Sequence, residues 1–199
     1  MRHEYGRKCI FLNGPSGAGK DTAAMHIRTH FGSIDYKLMK PVKEAVRAFF
    51  NIPPDTWRKI MNDQELKLSC NYFALNKTYL DLLCDWAEYY QETLGDNILG
   101  RLAASHLTTS IDPCKLYTIS DARLPREVLP VINAFGERNC AIIHIERPEY
   151  DDYVVGGKIE LEAIPHREIM NEFDMFLFEQ QCIKAVRELL PELECKDVE

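Results

Sequence analysis

The sequence predicts a three-layer α/β fold, a parallel sheet with helices on both faces. Three observations carry the prediction. Short apolar runs of strand length alternate with segments of helical spacing, a glycine-rich turn joins the first run to the first helix, and the composition is that of an ordinary globular chain. With 199 residues, 46% hydrophobic and 28% charged, the chain has too much apolar character for disorder. A chain this long buries about 70% of its unfolded surface, enough for one core with an excursion.

The elements follow in order. Lys8 to Asn13 reads as a buried strand, Gly14 to Gly19 as a turn, and Asp21 to His30 as a helix stopped near Gly32. Tyr36 to Met39 is the second expected strand. A helix then starts at Pro41, where a proline favours a first turn, with Val42, Ala45, Val46, Phe49 and Phe50 at helical spacing, and ends before Pro53-Pro54. Trp57 to Leu75 reads as an irregular or helical excursion. Two helices follow, Tyr79 to Tyr90 and, after the Gly95 break, about Asn97 to Leu107. Lys115 to Asp121 is a strand that delivers an acid at its end, Pro125 to Phe135 a helix, and Cys140 to Glu146 another buried strand. Arg147 to Ile164 is polar and poorly periodic, as a lid would be. Phe173 to Phe178 is expected to be the last strand and Cys182 to Leu190 the closing helix.

Charge and cysteine narrow the function classes. Lys and Arg total 24 against 31 for Asp and Glu, a net charge of -7 that gives no general attraction to nucleic acid or an anionic membrane. No apolar stretch approaches the roughly 20 residues of a membrane-spanning helix, and the first residues, Met-Arg-His-Glu-Tyr, form no apolar signal core. The 7 cysteines are odd in number and lack a CxxC pair, as suits free thiols in a reducing cytosol. The six histidines have no ligand spacing, although His26 and His30 share a helix face. A cytoplasmic protein without a membrane partner is expected. The sequence leaves the oligomeric state open, a homodimer included.

The strongest motif is Gly14-Pro15-Ser16-Gly17-Ala18-Gly19-Lys20-Asp21-Thr22, which fits GxxxxGK between a strand and a helix. Gly14, Ser16, Gly17, Ala18 and Gly19 would turn backbone N–H groups into one concavity, and Lys20 would reach the outer phosphates of a bound ATP. The residue after the lysine is ordinarily a Ser or Thr that ligates Mg²⁺. Here it is Asp21, with Thr22 next, so the metal would be held by Asp21, directly or through water, or by Thr22. The fold expected is therefore a P-loop NTPase with an inserted helical lobe at about 53–112, a core of 1–52 and 113–199, and a lid at about 148–168.

GPSGAGKDT resembles the loop of the phage-type deoxynucleoside monophosphate kinases. So, in order, do Lys40-Pro41-Val42-Lys43-Glu44, Leu94-Gly95-Asp96-Asn97, Ser120-Asp121-Ala122-Arg123 with its Asp-x-Arg pattern, and Ile143 to Pro148 with its final Arg-Pro. The resemblance spans about residues 8 to 190. It implies transfer of the γ-phosphoryl of Mg·ATP to a deoxynucleotide-type acceptor, in the host cytoplasm if a phage encodes the chain. Asp121 would hold the metal's hydration shell or accept the acceptor's proton, unless it only caps the Pro125 helix. Arg123 and Arg126 would stabilise phosphoryl charge.

Lys43 would meet the acceptor, Arg147 would stack on the donor base or join the lid, and Arg167 would close over the phosphates. On the helix from Tyr79, relatives carry arginines where this chain has Tyr79 and Gln91. Asp85, Glu88, Tyr89 and Tyr90 stand nearby, groups that suit a base or hydroxyl better than a phosphate, or else form a core with a solvated acidic face. A free deoxynucleoside monophosphate is the leading acceptor. Its rival is the hydroxyl of a hydroxymethylated pyrimidine in DNA, such as 5-hydroxymethyluracil, and a third reading is an NTP-hydrolysing switch without an acceptor.

Overall fold

The structure, a computed structural model, describes residues 6–69, 76–110, 116–148 and 157–193. The chain divides into two compact units, Met1–Leu38 with Gly100–Glu199, and Met39–Leu99. In chain order the elements are β1 (Lys8–Asn13), α1 (Lys20–Phe31), β2 (Ile34–Tyr36), α2 (Lys40–Phe49), α3 (Pro54–Asn62), α4 (Gln64–Leu68), α5 (Tyr79–Leu94), α6 (Ile98–Thr109), β3 (Leu116–Ile119), α7 (Pro125–Phe135), β4 (Cys140–Glu146), β5 (His166–Met170) and α8 (Met175–Leu189).

The five strands form one sheet in the order β2-β3-β1-β4-β5, and all four pairings are parallel. Both faces of a parallel sheet are covered, so its inner strands read as unbroken apolar runs. Accordingly, all six residues of β1 are buried, and β4 is buried from Cys140 to Ile145. A core cluster joins the sheet to α1 and α8 through Ile10, Leu12, Ile27, Ile143, Phe178 and Val186. Among the described residues, Cys9, Cys140 and Cys182 are buried free thiols; burial pushes Cys140 up to about 12, and Cys182 too, with Glu179 adding to it. Cys70, Cys114 and Cys195 lie outside the described residues.

The helix caps account for the boundaries. Gly32 ends α1 in the left-handed region, its N–H donating to Arg28 O, and Pro125 opens α7. Glu127 Oε2 accepts from the backbone N–H groups of Arg123 and Leu124, fastening the start of α7.

Three expectations need correction. The second strand covers Ile34–Tyr36 rather than 36–39. The last strand is His166–Met170, and Phe173 to Phe178 instead begins α8. Phe173 has a φ of 68°, which breaks any extended run, and Asp174 caps the helix by accepting from Leu177 N. Of the apolar residues that suggested a strand, Met175, Phe176 and Leu177 are exposed and only Phe178 reaches the core. β5 escaped notice because it is an edge strand whose first three residues, His166, Arg167 and Glu168, are exposed. The expected lid therefore loses 166–168 to the sheet, pairing from Ile142↔His166 onward, while its residues 149–156 lie outside the described residues.

The helical unit also has other limits than expected. It comprises 39–99 rather than 53–112, because α2 packs on α5 while α6 from Gly100 onward belongs to the sheet unit. A Cβ on Gly100 would lie 2.2 Å from Glu127 O, and Arg7 donates to Ser110 O at 2.6 Å, which ties that helix down. The excursion expected from Trp57 resolves into α3 and α4 up to Leu68; its last residues, 70–75, are outside the described residues. Within the helical unit Val42, Val46, Trp57, Leu82 and Leu83 are buried, and the Phe49 and Trp86 rings meet at 5.1 Å.

Candidate functional site

In a parallel sheet the ligand crevice lies outside the carboxyl ends of the strands, where the chain's connections part to opposite sides. Here that point is the end of β1, since β3 lies on one side of it and β4 on the other. The loop 14–19 leaves β1 there and runs into α1. Two of its glycines are sterically required. A Cβ on Gly14 would stand 2.3 Å from Ile145 O, and one on Gly19, which has a φ of 104°, would stand 2.5 Å from Asn171 Nδ2. Ser16 and Gly17 are exposed on the loop's outer side, while Pro15 and Ala18 are buried against the sheet.

Lys20 opens α1, and its ammonium donates to Gly14 O at 2.7 Å and Pro15 O at 2.6 Å. Burial lowers its pKa, and the neighbouring charges of Arg123 and Lys37 lower it further against Asp21 and Asp121. Arg123, Asp21, Lys37 and Asp121 are thus the charged groups whose fields Lys20 feels. Asp121 lies just beyond the end of β3 and accepts from Leu38 N at 2.8 Å. It is not the cap of α7, a task that falls to Glu127, whose carboxyl is itself pushed up by burial. Arg123 is exposed; Arg126 is exposed in the first turn of α7 with no partner among the described residues.

Residues that sequence reasoning did not single out brace the loop. Asn171, just after β5, is buried and donates from Nδ2 to Ala18 O at 2.9 Å. Asn13, the last residue of β1, donates to Ala122 O and Gly157 O and accepts from Ile159 N at 3.2 Å and from His144 Nδ1 at 3.0 Å. The bond to Asn13 requires the Nδ1–H tautomer of His144, and burial, helped by Lys158 and His166, holds this imidazole down to about 4. Lys37 pairs with both Asp21 and Asp35 and donates to Ser120 Oγ. Burial would raise Asp21, but the Lys37 ammonium outweighs it and holds the carboxyl below its usual range. Lys37 directly follows β2, and nothing in its spacing announces its pairing with Asp21 and Asp35, which only the fold brings about.

Arg147, at the end of β4, donates to Gly17 O at 2.6 Å and lies 4.0 Å over the Phe173 ring. It thus stands beside the loop. Arg167 is on β5, paired with Glu188 of α8 at 2.9 Å, on the strand rather than in a lid. In the helical unit, Lys43 lies on α2 and Asp85, Glu88 and Tyr89 on α5. Asp85 pairs with Lys77, Glu88 is exposed and Tyr89 is 61% exposed, so Tyr89 is no core residue. Thr22 lies in the first turn of α1, half-buried.

Mg²⁺ takes hard oxygen ligands, commonly one or two carboxylates plus substrate phosphates. Asp21 and Asp121, with the Thr22 and Ser120 hydroxyls, are donors of that kind. Among the described residues no group of three or more His, Cys, Asp or Glu is placed to hold a metal alone.

Sheet order, loop and strand-end acid together define a P-loop protein with the fold of the P-loop kinases. No family model matches the chain. Among characterised proteins, it is similar to the deoxynucleotide monophosphate kinase of Escherichia phage RB69, with 28% identity over 116 residues, 52% of this chain and 48% of that one. The match spans about half the length of that relative. Among solved structures, a Chloroflexus aurantiacus protein described as a kinase aligns over 93% of this chain and 99% of its own, with a TM-score of 0.50 and 12% identity, a likeness of fold. A sugar kinase from Janibacter sp. aligns over 93% of this chain and 95% of its own, with a TM-score of 0.45 and 12% identity. No helix of the described residues is long and apolar enough to cross a membrane.

Proposed function

We propose that the protein is an ATP-dependent kinase that transfers a phosphoryl group to a deoxynucleoside monophosphate. The observation that carries the reading is the loop itself, with Lys20, Arg123 and Asp121 gathered at the carboxyl ends of β1 and β3. Phosphoryl transfer asks for positioning and charge stabilisation more than covalent chemistry. The backbone N–H groups of 14–19 and the start of α1 receive the phosphate tail of ATP, and Lys20 swings from the Gly14 and Pro15 carbonyls to meet the transferring group. Arg123 places a guanidinium where charge spreads over the equatorial oxygens, with Arg126 as a second, outer cation. Asp121 would hold the metal's hydration shell and, were the acceptor a hydroxyl, would orient the attacking oxygen and take its proton. Arg147, already fixed over the loop by Gly17 O, offers its planar face to the donor base. Asp21, Thr22 and Asp121 are the residues that would hold Mg²⁺, which when bound neutralises the phosphates. Lys43 and the α5 residues Asp85, Glu88 and Tyr89 would meet the acceptor, and Arg167 would close over the phosphates only after releasing Glu188.

A second acceptor is favoured by one specific observation. The last turn of α5 carries no basic residue, and a run of rings from Phe49 through Trp86 and Tyr90 to Tyr89 covers its neighbourhood at centroid distances of 5.1, 6.0 and 5.8 Å. Such a surface suits stacking on a base more than capture of a phosphate, as a kinase of the hydroxyl of a hydroxymethylated pyrimidine in DNA would need. The deciding experiment offers γ-labelled ATP with free deoxynucleoside monophosphates and, in parallel, with DNA containing hydroxymethyluracil or hydroxymethylcytosine. Label in a deoxynucleoside diphosphate supports the first acceptor; label retained on DNA replaces it with the second. ATP hydrolysis indifferent to both overturns the kinase reading in favour of an NTP-hydrolysing switch.

A further inference from the structure

The position after the loop lysine is an acid here, and an acid is the wrong charge beside a phosphate tail. Asp21 is bound by Lys37, whose ammonium also contacts Ser120 Oγ and lies 3.1 Å from Asp35 Oδ2. Asp35 is in turn held by Ser120 Oγ at 2.8 Å and Thr118 Oγ1 at 3.2 Å, both on or next to β3. The network is thus anchored to the sheet at one end and opens at the other onto the first turn of α1. Its formal charges cancel locally: Lys20 and Lys37 against Asp21 and Asp35. The Asp21 side chain is 84% exposed and that of Lys37 33%, so water screens the pair and it adds little to folding stability. What it changes is the field met by an arriving anion. Without Lys37, the same groups would set one lysine against two carboxylates, a net negative charge at the mouth of the loop.

We propose that Lys37 is the resident counter-cation of the phosphate site, occupying Asp21 so that the loop accepts a nucleoside diphosphate or triphosphate without a divalent cation. Mg²⁺ then gains Asp21 as a ligand only by displacing Lys37. The inference rests on reading the loop as a nucleotide phosphate site. It makes Lys37 a positioning and specificity residue that sets how far nucleotide affinity depends on metal, a property fixed in most such loops by a hydroxyl.

The test is calorimetric titration with ADP, in EDTA and again in Mg²⁺, of the full chain and of Lys37→Met, Lys37→Arg and Lys37→Met with Asp21→Asn, with the thermal midpoint of each followed. The wild-type affinity is expected to differ by less than about threefold between the two conditions. Lys37→Met should lose about tenfold in EDTA, the scale of one charge removed near a phosphate tail, and regain most of it in Mg²⁺. Adding Asp21→Asn should restore binding in EDTA to near wild type and abolish the gain from Mg²⁺, and Lys37→Arg should behave as wild type. Equal ADP affinity of wild type and Lys37→Met in EDTA overturns the inference alone, even if the midpoint falls, since a purely structural role lowers stability without altering the metal ratio. So does a wild type that needs Mg²⁺ as much as the variant. Failure of the wild type to bind ADP in either condition overturns the phosphate-site reading, and the inference with it.

Discussion

At the carboxyl edge of the sheet the polar atoms are claimed by the fold itself. Asn13 makes four hydrogen bonds, Asn171 holds Ala18, Asp121 holds Leu38, and Lys20 lies on two loop carbonyls. On α5, among the described residues, polar side chains have local partners, Asp81 with Thr78 and Asp85 with Lys77, or stand exposed as Glu88 does. A loop whose backbone must bind a phosphate tail has to be fixed before the ligand arrives, because reorganising it afterward subtracts from affinity. A surface that selects among acceptors can be varied one side chain at a time without touching the fold. Preorganisation marks the first region as the common part of the chemistry and the second as the adjustable one.

That contrast can be broken most sharply at Lys20. Lys20→Met should lower phosphoryl transfer by about 100- to 1000-fold, the range found when one stabiliser of developing charge is removed, with the far-UV circular dichroism unchanged. Next come the braces of the loop. Asn171→Ala leaves Ala18 O without its buried donor and should cost about 1–3 kcal/mol in urea denaturation, and Gly19→Ala, forced to hold a φ of 104° against Asn171, should cost a similar amount.

A smaller and pH-dependent effect is expected at His144. Its folded pKa is depressed from 6.5 to about 4, so between those values the unfolded chain binds the extra proton. Stability should therefore be complete above about pH 6.5 and decline as the pH falls toward 4, and His144→Gln should flatten that part of the profile. Smallest in stability, and most telling for the comparison, Tyr89→Ala and Glu88→Gln should stay within about 0.5 kcal/mol of wild type. If those residues meet the acceptor, they should raise its KM while leaving the KM for ATP alone. A fall in ATP affinity instead would mean that the two regions are not separable as described.

The glycine-rich loop was legible in the sequence because its physics is local: nine consecutive residues mark the passage from a strand to a helix. Strands β1 and β4 and helix α7 were legible for a related reason, being buried on both faces or opened by Pro125. What escaped came from places where tertiary context overrides local pattern. The apolar residues from Phe173 to Phe178 imitate a strand, yet a capping aspartate and a left-handed Phe173 turn them into a helix. The polar His166–Met170 imitates a lid, yet the edge of the sheet recruits it. Asn13, Asn171 and Lys37 are single polar residues whose meaning lies largely in distant partners, from Asp21 opposite Lys37 to Ala18 opposite Asn171. The limits of the helical unit moved because α2 and α6 are allotted by packing, which helical spacing alone does not report.

The meeting of Gly19 with Asn171 has a consequence for descent as well as for design. An amide nitrogen 2.5 Å from where a Cβ would sit, on a backbone held at a φ of 104°, makes the constraint one-sided. A lineage that replaced the glycine would have to shorten or turn away the side chain at 171, giving up the tether on Ala18, and also relax the backbone. Among descendants of this chain, position 171 should therefore vary with the glycine kept, while a change of the glycine should come only with a change at 171. Joint randomisation of the two codons, followed by selection for nucleotide binding, should recover that linkage within a single library.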